Sequence, residues 1–181
     1  MKKLICPVWF AGFLDNVVRR WLHNPEKILK DYIQEGMNVL DFGCGPGFFT
    51  LDMAVMVGDS GKVIAADMQQ GMLDKLRKKL KGKEIEKRVT LHCTSADKIG
   101  IDTKVDFILA CYVIHELENK ENILKEMALL MKPNGLLYII EPLMHVPKKE
   151  FQDTVNKCLA NGFKLIKEPK VALSRAVLLT R

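Results

Sequence analysis

Apolar positions along this chain follow two periods in turn. Short runs suited to buried strands fall at 38–42 (Val39, Leu40, Phe42), 62–67, 88–93, 105–110, 136–140, 163–168 and 174–180. Between them lie stretches with helical spacing: one beyond Gly47 carrying Phe48, Phe49, Leu51, Met53, Ala54, Val55 and Val57, then 69–82, 118–131 and 147–161. Glycines at 43, 45 and 47 separate the first strand from its helix, and Pro133-Asn134-Gly135 predicts a turn into the 136–140 strand. Ahead of the first strand, Trp9, Phe10, Phe13, Leu14, Val17, Val18 and Trp21 predict a helix over 9–22. A second helix starts with Asn24 as N-cap and Pro25 at the first position, and runs through Ile28, Leu29 and Ile33 to Gly36.

Strands alternating with helices of about a dozen residues imply parallel pairing through right-handed crossovers. The last two strands are too close in sequence for a crossover and predict an antiparallel hairpin. The expected fold is α/β and doubly wound: a mostly parallel seven-stranded sheet with an antiparallel last strand, helices on both faces and an N-terminal helical cover. Residues 1–35 form that cover, and 36–181 one compact unit.

The 181 residues suffice for one domain with a substantial core, and no run reaches the ~18 uninterrupted apolar residues of a membrane span. The start, M-K-K-L-I-C-P-V-W-F-A-G-F-L, mimics a secretory leader, but Pro7 falls early in the apolar run. No small-residue cleavage site follows, and Asp15, Arg19 and Arg20 come soon after. Cys6, Cys44, Cys93, Cys111 and Cys158 show no paired spacing, which predicts reduced thiols, a cytoplasmic location and no metal site. The net charge of +6 raises nucleic acid as a partner. Much of the excess, however, sits between Lys75 and Arg88 around Leu73, Leu76 and Leu80, the pattern of a solvated helix face.

Chemistry concentrates in N-V-L-D-F-G-C-G-P-G-F-F-T, residues 38–50. A dinucleotide fingerprint G-x-G-x-x-G needs glycine at position 48, which is Phe. The pattern is instead D-x-G-x-G-x-G, with Asp41 two residues before the first glycine. A carboxylate at the mouth of such a loop repels pyrophosphate and suits a cation; alternatively Asp41 only accepts hydrogen bonds from turn N–H groups. The stretch resembles motif I of the class I S-adenosylmethionine-dependent methyltransferases, and the resemblance covers about 36–181. It implies S-adenosyl-L-methionine as methyl donor, S-adenosyl-L-homocysteine as product, and a donor site built from Asp41, Gly43, Cys44, Gly45, Gly47 and Phe48.

In open α/β sheets ligands bind at the carboxyl ends of the strands. Asp67 ends the second strand, where a carboxylate accepts a ribose diol. Met68 and Met72 beyond it are expected to pack against adenine, with Met72 alternatively a core or strand-cap residue. Ser95, Ala96 and Asp97 follow the third strand; Asp97 resembles the acid that receives the adenine amino group, or it is a helix N-cap. Ala110 ends the fourth strand and completes the donor set.

The following residues Tyr112-Val-Ile-His-Glu-Leu117 lack the Asn/Asp-Pro-Pro-Tyr of enzymes that methylate nucleobase or glutamine amides, and resemble the small-molecule branch, quinone-biosynthesis methyltransferases among it. Candidate catalytic residues are His115, Tyr112 and Glu141, with His145 and His23 near the mouth. His115 suits a general base or a cap, and Glu141 suits a substrate contact or a strand-ending turn. The expected partner is a small apolar or aromatic methyl acceptor, not nucleic acid, with the protein a monomer or homodimer. Nucleic-acid or protein methylation, or a non-catalytic role in binding the donor, is the alternative. The aromatic helix over 9–22 is either a lid on the acceptor or packed core.

Overall fold

The computed structural model describes Arg20 and residues 22–181. The expected 9–22 helix lies outside the described residues except at its end. Seven strands form one sheet in the order β3-β2-β1-β4-β5-β7-β6. They are β1 (Asn38–Phe42), β2 (Lys62–Asp67), β3 (Val89–Cys93), β4 (Val105–Cys111), β5 (Met131–Pro142), β6 (Lys164–Lys167) and β7 (Ser174–Thr180). The pairs β1–β2, β1–β4, β2–β3 and β4–β5 are parallel. The last strand β7 inserts between β5 and β6, antiparallel to both. Six strands therefore run one way and one is reversed.

Among the described residues five α-helices cover the sheet: α1 (Pro25–Leu29), α2 (Thr50–Met56), α3 (Gln70–Leu80), α4 (Lys120–Leu130) and α5 (Lys148–Ala160). The two-residue period of the strands divides the core. Leu40, Ile64, Ile108, Leu137 and Ile139 point to the face packed by Ile123, Leu124 and Met127 of α4 and by Phe151 and Val155 of α5. Val39, Val63, Phe107, Leu109 and Tyr138 point to the other face, against Leu29 of α1 and Met53 and Ala54 of α2. On that face α3 adds Leu73, Leu76 and Leu80 over Ala65. No helix among the described residues is long and apolar enough to cross a membrane.

Three elements depart from the periodicity, each because tertiary contacts override local preference. The Asn24 side chain accepts from Lys27 N–H and Pro25 opens α1, as expected, but the helix ends at Leu29 rather than near Gly36. Ile33 stays buried through its N–H bond to the Leu29 carbonyl, while Tyr32 sets its ring edge-on to Tyr138. Helix α2 begins at Thr50, because Phe48 and Phe49 are drawn into the core as an edge-to-face pair, 4.9 Å apart. Strand β5 starts at Met131, and the expected turn at Pro133-Gly135 is a bulge inside it, with Asn134 at φ 62°.

Edge strand β6 is exposed along its whole length, including Leu165 and Ile166.

Candidate active site

The carboxyl ends of β1, β2, β4 and β5 converge on the glycine turn. Both Gly43 N–H and Cys44 N–H donate to the Ala66 carbonyl, which ties the turn to β2. Gly43 sits at φ 72°, and a Cβ there would lie 2.4 Å from Val113 Cγ2 of the segment after β4. Gly47, at φ 89°, would bring a Cβ to 2.4 Å from Leu76 Cδ1 of α3. Two glycines therefore let neighbouring elements close on the turn. At Gly45 a Cβ would meet nothing among the described residues within 4 Å.

Asp67, at the end of β2, is buried and accepts Gly45 N–H and Gln69 N–H, each at 2.8 Å, one on each carboxylate oxygen. Each oxygen retains a lone pair for a ligand. Burial raises the Asp67 pKa, against the pull of those two N–H groups. Asp41 is also buried and accepts the Thr50 hydroxyl at 2.6 Å. Its sequence position suggested a ligand acid, and here it also fixes the start of α2. Burial first, then the carboxylates of Asp41 and Asp67, push the Cys44 thiol pKa up. The turn thus lies in a negative field, which opposes a pyrophosphate and fits the ammonium and sulfonium of S-adenosylmethionine.

The remaining donor-site candidates are placed unevenly. Met68 is partly exposed beside the turn, whereas Met72 is buried on the inner side of α3, its core reading. Thr94 N–H donates to the Asp67 carbonyl, which brings the exposed stretch Ser95, Ala96 and Asp97 next to Asp67. Asp97 accepts the Ser95 hydroxyl at 2.9 Å. Its alternative as a helix N-cap is corrected: no helix stands between β3 and β4, so there is no helix for it to cap. Ala110 is fully enclosed on the α4–α5 side, which leaves only its backbone for a ligand. Phe48 is buried in the opposite layer, with the Arg20 guanidinium 5.9 Å from its ring centre.

The structure splits the catalytic candidates. His115, on a short 3-10 turn (Ile114–Glu116), contacts Glu141 Oε2 through Nδ1 at 2.5 Å and donates its backbone N–H to Oε1 at 3.1 Å. Glu141 is buried and engaged on both oxygens, so the plain strand-ending reading gives way to a holding role. The His145 ring stacks parallel to that of His115 at 6.5 Å. Burial lowers the His115 pKa, but Glu141, helped by Glu116, outweighs it and leaves the net shift upward.

Tyr112 belongs to the other face. Its hydroxyl lies 2.7 Å from Ser174 Oγ and 3.0 Å from His23 Nε2. Thr50, Val113 and Ser174 carry no sequence signal for their places here; a lone Ser at the start of a strand looks like any other.

A family model described as a methyltransferase domain matches residues 33–171. This chain belongs to the class I S-adenosylmethionine-dependent methyltransferases. A SAM-dependent methyltransferase from Aquifex aeolicus superposes with a TM-score of 0.88 at 28% identity, covering 97% of this chain and 99% of that one. A demethylmenaquinone methyltransferase from Lactobacillus johnsonii is 32% identical over 110 residues, 60% of this chain and 45% of its own length. The ubiquinone/menaquinone biosynthesis C-methyltransferase UbiE of Shewanella frigidimarina is 32% identical over 121 residues, 66% of this chain and 47% of its own length. The chain spans about half the length of these curated relatives.

When bound, S-adenosyl-L-methionine supplies an electrophilic methyl group on a sulfonium. The residues that would hold it in this methyltransferase are the 43–47 turn, Asp67 and the Ser95-Asp97 stretch. Asp67→Ala is expected to weaken S-adenosyl-L-homocysteine binding by about 1.5–3 kcal/mol, the worth of hydrogen bonds to a charged group. Calorimetry on the folded variant checks this, and wild-type affinity would remove Asp67 from the site.

Proposed function

We propose that this methyltransferase acts on a small apolar or aromatic acceptor at an atom that sheds a proton, with His115 as general base. The observation that carries this reading is the His115–Glu141 contact. Glu141 takes Nδ1–H, which fixes the tautomer and leaves the Nε2 lone pair as the basic position. Glu141 also stabilises the imidazolium that forms when His115 accepts the proton. The remaining acceleration comes from alignment and exclusion of water, with effective-molarity gains of about 7 kcal/mol or more.

Two relatives, one named a demethylmenaquinone methyltransferase and one a ubiquinone/menaquinone biosynthesis C-methyltransferase, support the acceptor class, because an aromatic carbon that gains a methyl group must lose its hydrogen. Absence of Asn/Asp-Pro-Pro-Tyr after β4 argues in the same direction.

The test supplies donor with a labelled methyl group, then separately a short-chain naphthoquinol, a phenol, total RNA and a basic peptide. Label is expected in the naphthoquinol or phenol alone. Label in RNA or peptide, with none in either aromatic probe, overturns the reading.

A further inference from the structure

Two residues other than glycine adopt left-handed backbone at the mouth of the site: Tyr112 at φ 61° and Leu173 at φ 52°. Bulky residues seldom do so, and such geometry persists only where the surroundings impose it. Here the surroundings are visible. Tyr112 N–H donates to the Ile140 carbonyl at 2.8 Å, which prolongs the β4–β5 ladder by one residue. Its phenol meets Ser174, the residue after Leu173, and His23, whose ring stands edge-on to the tyrosine at 5.7 Å. The Ser174 hydroxyl and His23 Nε2 both reach the Ala172 carbonyl at 2.9 Å. A consistent proton order has Ser174 donating to Ala172 O, the phenol donating to Ser174 Oγ, and the single His23 Nε2–H shared between Ala172 O and the phenol oxygen.

The turn made at Tyr112 has two products. Val113 comes down on Gly43, into the space a side chain there would need. Two residues further on, His115 presents its N–H and Nδ1 to Glu141. With an ordinary φ at 112 the chain after β4 would leave in another direction, and neither contact would form.

We propose that Tyr112 is the positioning residue of this site, its phenol pinned by Ser174 and His23 so that the backbone turn it makes seats Val113 on the glycine turn and His115 on Glu141. Tyr112 does not touch the reacting atoms; it acts through His115. The functional meaning rests on His115 as the base, but the geometry can be tested without an acceptor. A phenol that merely filled space would be replaceable by Phe with no effect on His115. A pinned phenol is not, since Tyr112→Phe keeps the ring and removes only the hydroxyl that holds the turn.

The experiment is an NMR titration of the histidine ring signals in the full chain, with His115 assigned by its disappearance in His115→Gln. The groups that set its titration are Glu141 on β5, Glu116 on its own turn, Lys120 at the start of α4 and the stacked His145. In Tyr112→Phe, His115 is expected to titrate at least about half a pH unit lower, towards the ordinary ~6.5. Ser174→Ala, which removes the phenol's partner on β7, should move His115 in the same direction. The double variant should move it no further, because both act on one contact.

S-adenosyl-L-homocysteine affinity should stay within about threefold in all three, because Ala66 O and Asp67 hold the glycine turn independently of Val113. Unchanged titration of His115 in Tyr112→Phe and Ser174→Ala overturns the proposal. So does a shift accompanied by more than tenfold loss of S-adenosyl-L-homocysteine affinity, which would mean general collapse of the site. If Tyr112→Phe does not fold, Ser174→Ala alone decides by the same criteria. If the titrations shift as expected but His115→Gln still methylates the aromatic probe normally, the clamp stands and the base assignment falls.

Discussion

His115→Gln is expected to lower methylation of the aromatic probe by about 10²- to 10⁴-fold, the usual contribution of a positioned acid or base. S-adenosyl-L-homocysteine affinity should be unchanged, because no hydrogen bond links His115 to the glycine turn or Asp67. The pH profile carries the sign. A base works when unprotonated, and the His115 pKa is raised, so the wild-type rate should climb with pH through a value above the ordinary 6.5. Glu141→Gln removes the negative partner and should move that limb to lower pH while slowing the plateau, since the imidazolium loses its stabilising charge.

Stability should run the opposite way. A histidine whose folded pKa is raised stabilises fully below its unfolded pKa and loses that contribution as pH rises through the folded one. A wild-type chain most stable in acid at this pair yet fastest at higher pH would carry both signatures. Steady-state rates between pH 5.5 and 9 check the assignment; a His115→Gln variant with the wild-type profile would end it.

Deleting residues 1–22 is expected to abolish methylation of the same probe while S-adenosyl-L-homocysteine affinity changes by no more than tenfold, roughly 1.4 kcal/mol. Every strand among the described residues lies beyond residue 37, and Asp41, Asp67 and the glycine turn remain. What goes is the aromatic stretch from Trp9 to Trp21, proposed as an apolar cover over the acceptor. The described end of that stretch docks beside α2: Arg20 bonds both oxygens of Asp52, at 3.0 and 3.1 Å, and lies over Phe48. An exposed ion pair of this kind adds little to stability, so its loss should not unfold the sheet. If the truncated chain fails to fold, the stretch is core rather than cover. If it folds and turns over normally, the acceptor pocket is confined to the His115, Glu141 and Tyr112 surroundings.

The geometry of the glycine turn was legible because its signal is local. Asp41, the three glycines and a strand start-to-end pattern sit within a dozen residues, and the positive φ values at 43, 45 and 47 are what glycine at those positions suggests. Strands β2 and β7 fall at the bounds their apolar runs set, since few other structures satisfy a short buried run. The ends of α1 and α2 were not legible, because Tyr32, Phe48 and Phe49 leave the helical path for partners distant in the chain.

The acceptor half depends on distant pairings throughout. Tyr112 and His115 are three residues apart and looked like one cluster. A left-handed backbone at a tyrosine, unpredictable from residue type, sends them to opposite faces of the sheet. Glu141 looked like a strand end because nothing near it in sequence reveals that β4 delivers a histidine beside it. Ala110 was placed by its register at a strand end, but strand alternation turns its side chain into the core.

The exposed edge of β6 has a bearing on how copies of this protein meet. An open strand edge is a template for another chain, and Leu165 and Ile166 would reward such pairing. Read in either direction, however, Lys-Leu-Ile-Lys has lysine at both ends. Two copies joining edge to edge in antiparallel register would set Lys164 of each against Lys167 of the other before a ladder could close. Repulsion rather than shape guards this border. At 1 M salt, where charges act over only about 3 Å, that guard is down, and concentrated saline stocks are where self-association should begin.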